Sequence, residues 1–261
     1  MSAGDAAATR EDPRDPWSEL RSTTQSRIGL GRAGDALPTR RVLEFRVAHA
    51  AARDAVHLPL DVAAFTAAVR EVGLGEPAVV RSCAADRGEY LRRPDLGRTP
   101  ADLDTVSRTG ADVGFVLADG LSPRALMEHG APLLAAIAAE LPQHYTLAPP
   151  VVATQARVAL GDHIGDALGV TTLVLLIGER PGLSVADSLG VYLTHRPQPG
   201  RTDADRNCIS NIHPPEGLGY VQAARVVTGL VDGARRLGRS GVELKDTSRA
   251  ATLGAGAVLE P

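Results

Sequence analysis

Thr172-Leu-Val-Leu-Leu-Ile177 decides the fold. After its first residue the run is apolar at every position, so neither face of an extended strand would meet water. Strands in the middle of a parallel sheet read that way. The run stops at Gly178-Glu179-Arg180-Pro181-Gly182, a charged, Gly/Pro-rich turn. An abrupt stop of this kind marks the carboxyl end of a buried strand, and open α/β sheets place ligands just outside such ends.

Working outward, Val113-Gly-Phe-Val-Leu-Ala118, Pro150-Val-Val-Ala153 and the short Ala78-Val79-Val80 read as further strands, and Val185 to Leu193 gives a weaker signal. Helices alternate with them. Ser122 and Pro123 form a cap and first-turn proline, opening a helix expected to be interrupted near Gly130 and Pro132. Arg157 to Leu168 is a second helix. Tyr220 to Leu237 is a third, with Ala223, Ala224, Val227, Leu230, Val231, Ala234 and Leu237 on one side. Gly229 and Gly233 each weaken that helix by about 1 kcal/mol, so it depends on packing. Upstream, Thr39 can cap a helix to about His57, and another covers Val62 to Val72 before Gly73-Leu-Gly75. The alternation predicts an α/β chain: a Rossmann-like parallel-sheet domain preceded by a mainly helical N-terminal region. The expected divisions are a disordered tail over 1–16, an arm and helical region over 17–100, and the Rossmann-like domain over 101–261. The loop Gly88 to Pro100 lies at the boundary.

Bulk properties remove several function classes. At 261 residues the chain can bury a full core. A net charge of −3 with only 3% aromatic residues argues against a nucleic-acid partner, which favours a basic face or stacking platforms. No segment is apolar for long enough to cross a bilayer. The two cysteines, Cys83 and Cys208, make no disulfide framework and read as free thiols in a reducing, cytoplasmic setting. Of 28 basic residues only Lys245 is lysine, and it stands beside Asp246. A Schiff-base centre is therefore disfavoured, and a Gly-Lys-Ser/Thr phosphate loop is absent.

Individual motifs carry competing readings. Gly29-x-Gly31-x-x-Gly34 has the spelling of a dinucleotide fingerprint, which would make the chain a nucleotide-dependent oxidoreductase. No strand of adequate length precedes it and no helix follows directly, so an arm or interface turn is the better reading. His49, Arg53 and His57 share a helix face. Arg53 would repel a metal ion, which leaves a polar face meeting solvent or a partner. Cys208 and His213, with His163 and His195 elsewhere, lack the paired spacing of zinc sites. Cys208 as a nucleophile would need a base such as His213 beside it. Glu179 follows the strand end and either points into the crevice or closes a turn with Arg180. Gly178 would let a ligand approach the backbone. Arg201-Thr-Asp-Ala-Asp-Arg-Asn-Cys-Ile-Ser-Asn-Ile-His-Pro214 is dense in polar groups, as a segment lying against something polar and specific would be.

These last two segments also carry a resemblance. They stand in order with Ser26-Arg-Ile-Gly-Leu-Gly-Arg-Ala-Gly34, Phe45-Arg-Val-Ala-His-Ala-Ala-Ala-Arg-Asp-Ala-Val-His57, Arg93-Pro-Asp-Leu-Gly-Arg98, Ala118-Asp-Gly-Leu-Ser122 and Ala156-Arg-Val-Ala-Leu-Gly-Asp-His-Ile-Gly165. From about Trp17 to Asp246 the chain resembles the small subunit of ethanolamine ammonia-lyase. That resemblance implies an adenosylcobalamin-dependent enzyme converting ethanolamine to acetaldehyde and ammonia by a radical route. It implies cofactor contact at Val158, Glu179 and Cys208. Their chemistry suits a corrin: an apolar contact, an acceptor for rim amides or a ribose hydroxyl, and a small, weakly polar thiol. The thiol, a good hydrogen donor to carbon radicals, should touch the cofactor away from the adenosyl group.

The Asp-x-His-x-x-Gly signature of base-replacing cobalamin enzymes is absent, since Gly161-Asp-His-Ile-Gly165 has the letters at the wrong spacing. The resemblance therefore implies that the cofactor keeps its own base. It also implies a large-subunit partner that holds the substrate site, so no catalytic residue and no metal ligand is assigned here. The family works in the cytoplasm, often within a bacterial microcompartment addressed by an amphipathic N-terminus, and Met1 to Pro16 shows no apolar stripe. A non-catalytic interaction protein, docking through its Rossmann-like domain, is the alternative reading.

Overall fold

The structure, a computed structural model, describes residues 15–246. The tail expected over 1–16 lies outside the described residues except for Asp15 and Pro16. Six strands share one sheet in the order β1-β3-β2-β4-β5-β6. They are β1 (Ala78–Arg81), β2 (Val113–Ala118), β3 (Val151–Thr154), β4 (Thr172–Gly178), β5 (Leu189–His195) and β6 (Arg206–Ile212). β1 to β4 are parallel; β5 runs antiparallel to β4, and β6 antiparallel to β5. The expectation of a parallel, Rossmann-like sheet is corrected accordingly: the fold is α/β, and the sheet is mixed. The connections explain the change. Residues 179–188 and 196–205 hold no α-helix, and a parallel return needs a crossover of a dozen or more residues, usually helical. The chain must turn straight back at both places.

β4 sits centrally and is buried at all seven positions. Alternate side chains of the sheet enter two separate cores. Phe115, Leu117, Val174, Leu176, Val191 and Ile209 face one core, which α3 (Val62–Arg70), α5 (Pro123–Glu140) and α7 (Tyr220–Leu237) complete. Val116, Ala118, Leu173, Leu175 and Ile177 face the other, covered by α6 (Leu160–Leu168). Three helices cover the first face and one covers the second, so among the described residues no helix covers the second face of β5 and β6.

Local sequence accounts for these helices. Asp61 caps α3 by accepting from the Ala64 N–H at 3.0 Å, and Ser122 caps α5 through the Ala125 N–H at 3.2 Å. α5 is not interrupted: it runs through Gly130 and Pro132. A Cβ at Gly130 would come within 2.8 Å of the Phe65 ring, so glycine there serves close packing of α5 on α3. The expected loop over 88–100 instead begins with a short helix, α4 (Arg87–Arg92), capped by Asp86. On α7, Leu237 is 43% exposed and does not join the buried stripe.

The chain divides into two compact units, residues up to Ala51 and residues from Ala52 onward. In the first, α1 (Ser18–Ser22) is followed by glycines with left-handed backbone, Gly29, Gly31 and Gly34. The Trp17 side chain occupies the space where a Cβ of Gly29 would stand, and Arg21 donates to the Gly29 carbonyl at 2.7 Å. The dinucleotide spelling is thus a turn-rich arm. α2 (Thr39–His57) begins in this unit, and its expected apolar face is open, with Leu43 and Val47 55% and 70% exposed.

Candidate functional site

Glu179, Val158 and Cys208 arrive from three different connections. Glu179 is the first residue after β4. Val158 lies between β3 and α6. Cys208 lies on β6, opposite Tyr192 of β5. Two adjoining depressions open on this side of the sheet. One, of about 310 Å³, is lined by Val158, Glu179, Arg157, Tyr90 and Tyr192. The other, of about 700 Å³, is lined by Val158, Cys208, Arg157, Tyr192, Arg201 and Arg206. Val158, Arg157 and Tyr192 belong to both, so the three sequence-predicted residues line one continuous groove. It occupies the face of β5 and β6 that no helix covers.

Within the groove Glu179 is half-buried and held in place. Ser188 Oγ donates to its Oε2 at 2.8 Å and the Asn211 backbone N–H donates to the same oxygen at 3.2 Å. Local bonds therefore fix the carboxylate through one oxygen only; Asn211 belongs to the polar stretch singled out in the sequence, whereas Ser188 does not. Gly178 plays a different part from the one expected. A Cβ there would strike the Ser122 and Asp119 carbonyl oxygens, so its glycine serves the chain's own turn after β2.

Cys208 is solvent-exposed at its edge position. Crowding by its neighbours nevertheless pushes its thiol above the ordinary range; the Glu179 charge adds to this and a hydrogen bond with Tyr192 opposes it. Desolvation likewise pushes the Tyr192 hydroxyl up. His213 is not the base beside Cys208, because its Nε2 pairs with Asn211 Oδ1 at 2.8 Å. A thiol held protonated, without a base, is a poor nucleophile.

The crevice between the ends of β2 and β3, where connections leave to opposite faces, is filled by the chain itself. Asp119 accepts from the Gln155 and Ala156 N–H groups at 2.9 and 3.0 Å, joining the two strand ends. Tyr90 of α4 donates to the Ala156 carbonyl at 3.1 Å. Arg87 and Arg157 lie over the Tyr90 ring at 4.7 and 4.3 Å. Burial pushes the Asp119 carboxyl up, while the two N–H donors and Arg87, at 3.6 Å, oppose that shift. No strand–helix motif in the sequence signals this plug; it is assembled from separate segments, with Arg87 and Tyr90 on α4, Asp119 after β2, and Gln155 and Ala156 after β3.

Glu128, His129 and Asp187 place metal-type ligand atoms within 4.8 Å of one another. They are already partnered: Arg124 lies 3.7 Å from Glu128 and 3.2 Å from Asp187, and His129 Nδ1 pairs with the Tyr220 hydroxyl at 2.7 Å. Among the described residues no helix is long and apolar enough to cross a membrane.

Comparison with known proteins agrees with the ordered motifs. The family model described as ethanolamine ammonia-lyase light chain matches residues 14–245. An ethanolamine ammonia-lyase small subunit from Rhodococcus erythropolis is 68% identical over 245 residues, covering 94% of this chain and 95% of that protein. Small subunits from Azotobacter vinelandii and Pseudomonas fluorescens are 49% and 47% identical, with coverage of 92% and 93% of this chain and 92% and 91% of theirs. A match over nearly the whole length means that this chain belongs to the ethanolamine ammonia-lyase light-chain family.

Proposed function

We propose that this chain is the small subunit of an adenosylcobalamin-dependent ethanolamine ammonia-lyase, and that its groove contacts the cofactor through Val158, Glu179 and Cys208. The observation that carries the reading is the convergence of those three residues, from three separate connections, on one open groove. The groove's chemistry fits the group. Val158 and Tyr192 offer an apolar wall to a flat macrocycle. Glu179 is fixed through Oε2, so Oε1 is left to accept from a rim amide or a ribose hydroxyl. Asp119 and Tyr90 hold the β2 and β3 ends together beneath them, which makes the floor rigid before any ligand arrives.

When bound, the cofactor supplies the radical chemistry that protein side chains lack. This chain's own residues bind, orient and exclude water. Cys208, protonated and exposed on the flank beside Tyr192, packs without demanding a counter-charge. The substrate site is assigned to a large-subunit partner, and no catalytic residue to this chain. The proposal divides the chain into an arm and helical region followed by a cofactor-contacting domain. It places the assembly in the cytoplasm.

Ammonia release from ethanolamine tests the reading. Turnover is expected only when this chain, the large subunit and adenosylcobalamin are all present. Glu179→Ala and Cys208→Ala are each expected to weaken corrinoid affinity of the assembled complex several-fold, through a lost hydrogen bond or lost packing. Unchanged affinity in both variants would remove the groove from the cofactor site.

A further inference from the structure

The larger part of the groove is lined by more positive than negative side chains. Arg98, Arg157, Arg201 and Arg206 line it, against one carboxylate, Asp203. Arg206 is only 7% exposed and is engaged with the Asp162 carboxylate, Asp203 at 3.0 Å and the Arg201 carbonyl at 3.0 Å. Its Nε is nevertheless buried without a partner, and so are the Nε groups of Arg157 and Arg201. A buried guanidinium N–H left without an acceptor is costly, and among the described residues three such groups stand around this depression against one unpartnered buried carboxylate oxygen, Asp162 Oδ1 behind Arg206.

A second feature stands at the same place. Val158 and Ala159 line the depression and lead directly into α6, a nine-residue helix whose N-terminus no side chain caps. The positive end of a helix dipole and forked guanidinium donors both favour a multi-oxygen anion of the phosphate type over a single carboxylate.

We infer that Arg157, Arg201, Arg206 and the N-terminus of α6 form a phosphate subsite, and that its ligand is the phosphodiester in the nucleotide tail of the cofactor. The second half of this inference rests on the cofactor reading above. The apolar wall at Val158 lies on the boundary between the two depressions. One ligand with a flat apolar body and an anionic tail can therefore occupy both. Arg206 is the anchor, because Asp162 holds it rigidly from behind; Arg157 and Arg201 are the adjustable donors.

The test uses three probes. Inorganic phosphate is titrated against the full chain, at constant ionic strength, by phosphorus NMR line broadening. Cyanocobalamin and dicyanocobinamide, which lacks the phosphodiester and nucleotide, are titrated against the complex with the large subunit by absorbance. The variant is Arg157→Gln/Arg201→Gln, which leaves the Arg206–Asp162 pair intact; Arg157→Lys/Arg201→Lys keeps the charge. Phosphate broadening is expected with the wild type and lost in the Gln variant. Cyanocobalamin affinity is expected to fall about tenfold or more in the Gln variant, to recover in part in the Lys variant, and dicyanocobinamide affinity to stay within a factor of about two. Equal losses for both corrinoids, with phosphate still bound by the wild type, would overturn the cofactor tail as the ligand. Absence of phosphate binding together with unchanged corrinoid affinities would overturn the subsite itself. If neither corrinoid binds the wild-type complex, the cofactor reading has failed, and the phosphate titration alone decides the subsite.

Discussion

At the scale of single residues, environment matters more than identity. Cys208 is exposed, yet its thiol is pushed above its ordinary value, so only a small fraction is thiolate near neutral pH. Its alkylation by iodoacetamide should therefore be slow near neutral pH, with a rate that keeps rising beyond the usual thiol range; mass spectrometry across a pH series reads this. A rate that levels off below the ordinary thiol value would contradict the assigned surroundings. Asp112 shows the opposite shift. The Thr146 N–H and hydroxyl donate to it at 2.9 and 2.7 Å, and Arg235 approaches to 2.8 Å, which together hold its carboxyl below the ordinary aspartate range. A depressed folded pKa contributes stability above the unfolded value, and the contribution disappears as pH falls through the folded one. Asp112→Asn should cost about 1 kcal/mol near neutral pH. Urea denaturation should show that difference vanishing in acid, below the ordinary aspartate range.

Among the elements, α6 is the clearest case of packing deciding sequence. Gly161 and Gly165 sit one turn apart on it. A Cβ on the first would come within 2.6 Å of Leu175 Cδ1, and one on the second within 2.5 Å of Pro197 Cγ. The two glycines let the helix lie close against β4 and the segment after β5. Gly165→Ala should destabilise the fold by roughly 1–3 kcal/mol through overpacking, despite alanine's better helix propensity; thermal or urea unfolding measures it. A stabilised variant would show that the contact relaxes freely. These are the letters that resemble a displaced cobalamin signature, and steric fit accounts for them.

The same scale shows what the sequence made legible. β2, β3, β4, α6 and α7 were readable because long apolar runs and a helical stripe are local signals. β6 was not. Its residues Arg206, Cys208 and Ser210 alternate with Asn207, Ile209 and Asn211, so hydrophobicity barely alternates, and what makes it a strand is pairing with β5. The direction of β5 was legible only in hindsight, from the shortness of 179–188. Of the site, Val158 and Cys208 as cofactor contacts came from family motifs, whereas Glu179 was also marked by its place at the end of the buried strand. Tyr192 and Ser188 stayed hidden, and Asn211 was seen only as part of the polar stretch 201–214, because nothing local tells a residue in or beside a strand which neighbour it will face.

For the molecule as a whole, the plug between β2 and β3 settles what the fold does not use. Asp119, Tyr90 and Arg87 occupy the crevice where doubly wound sheets bind dinucleotides, and Gly29 to Gly34 belong to an arm. The isolated chain is therefore expected to give no saturable NADH binding in a fluorescence titration; saturation would restore the oxidoreductase reading. The proposed binding surface lies instead on the antiparallel extension, where β6 forms the sheet's edge. An edge strand is a template for unwanted pairing with another copy. Here Asn207 bonds to the Gly241 and Leu244 carbonyls at 3.2 and 3.0 Å, shielding the start of that edge, and the rest carries Ser210 and a left-handed Asn211. The polarity that hid β6 from a hydrophobic reading thus has a use of its own: it makes the open edge a poor template for a second copy.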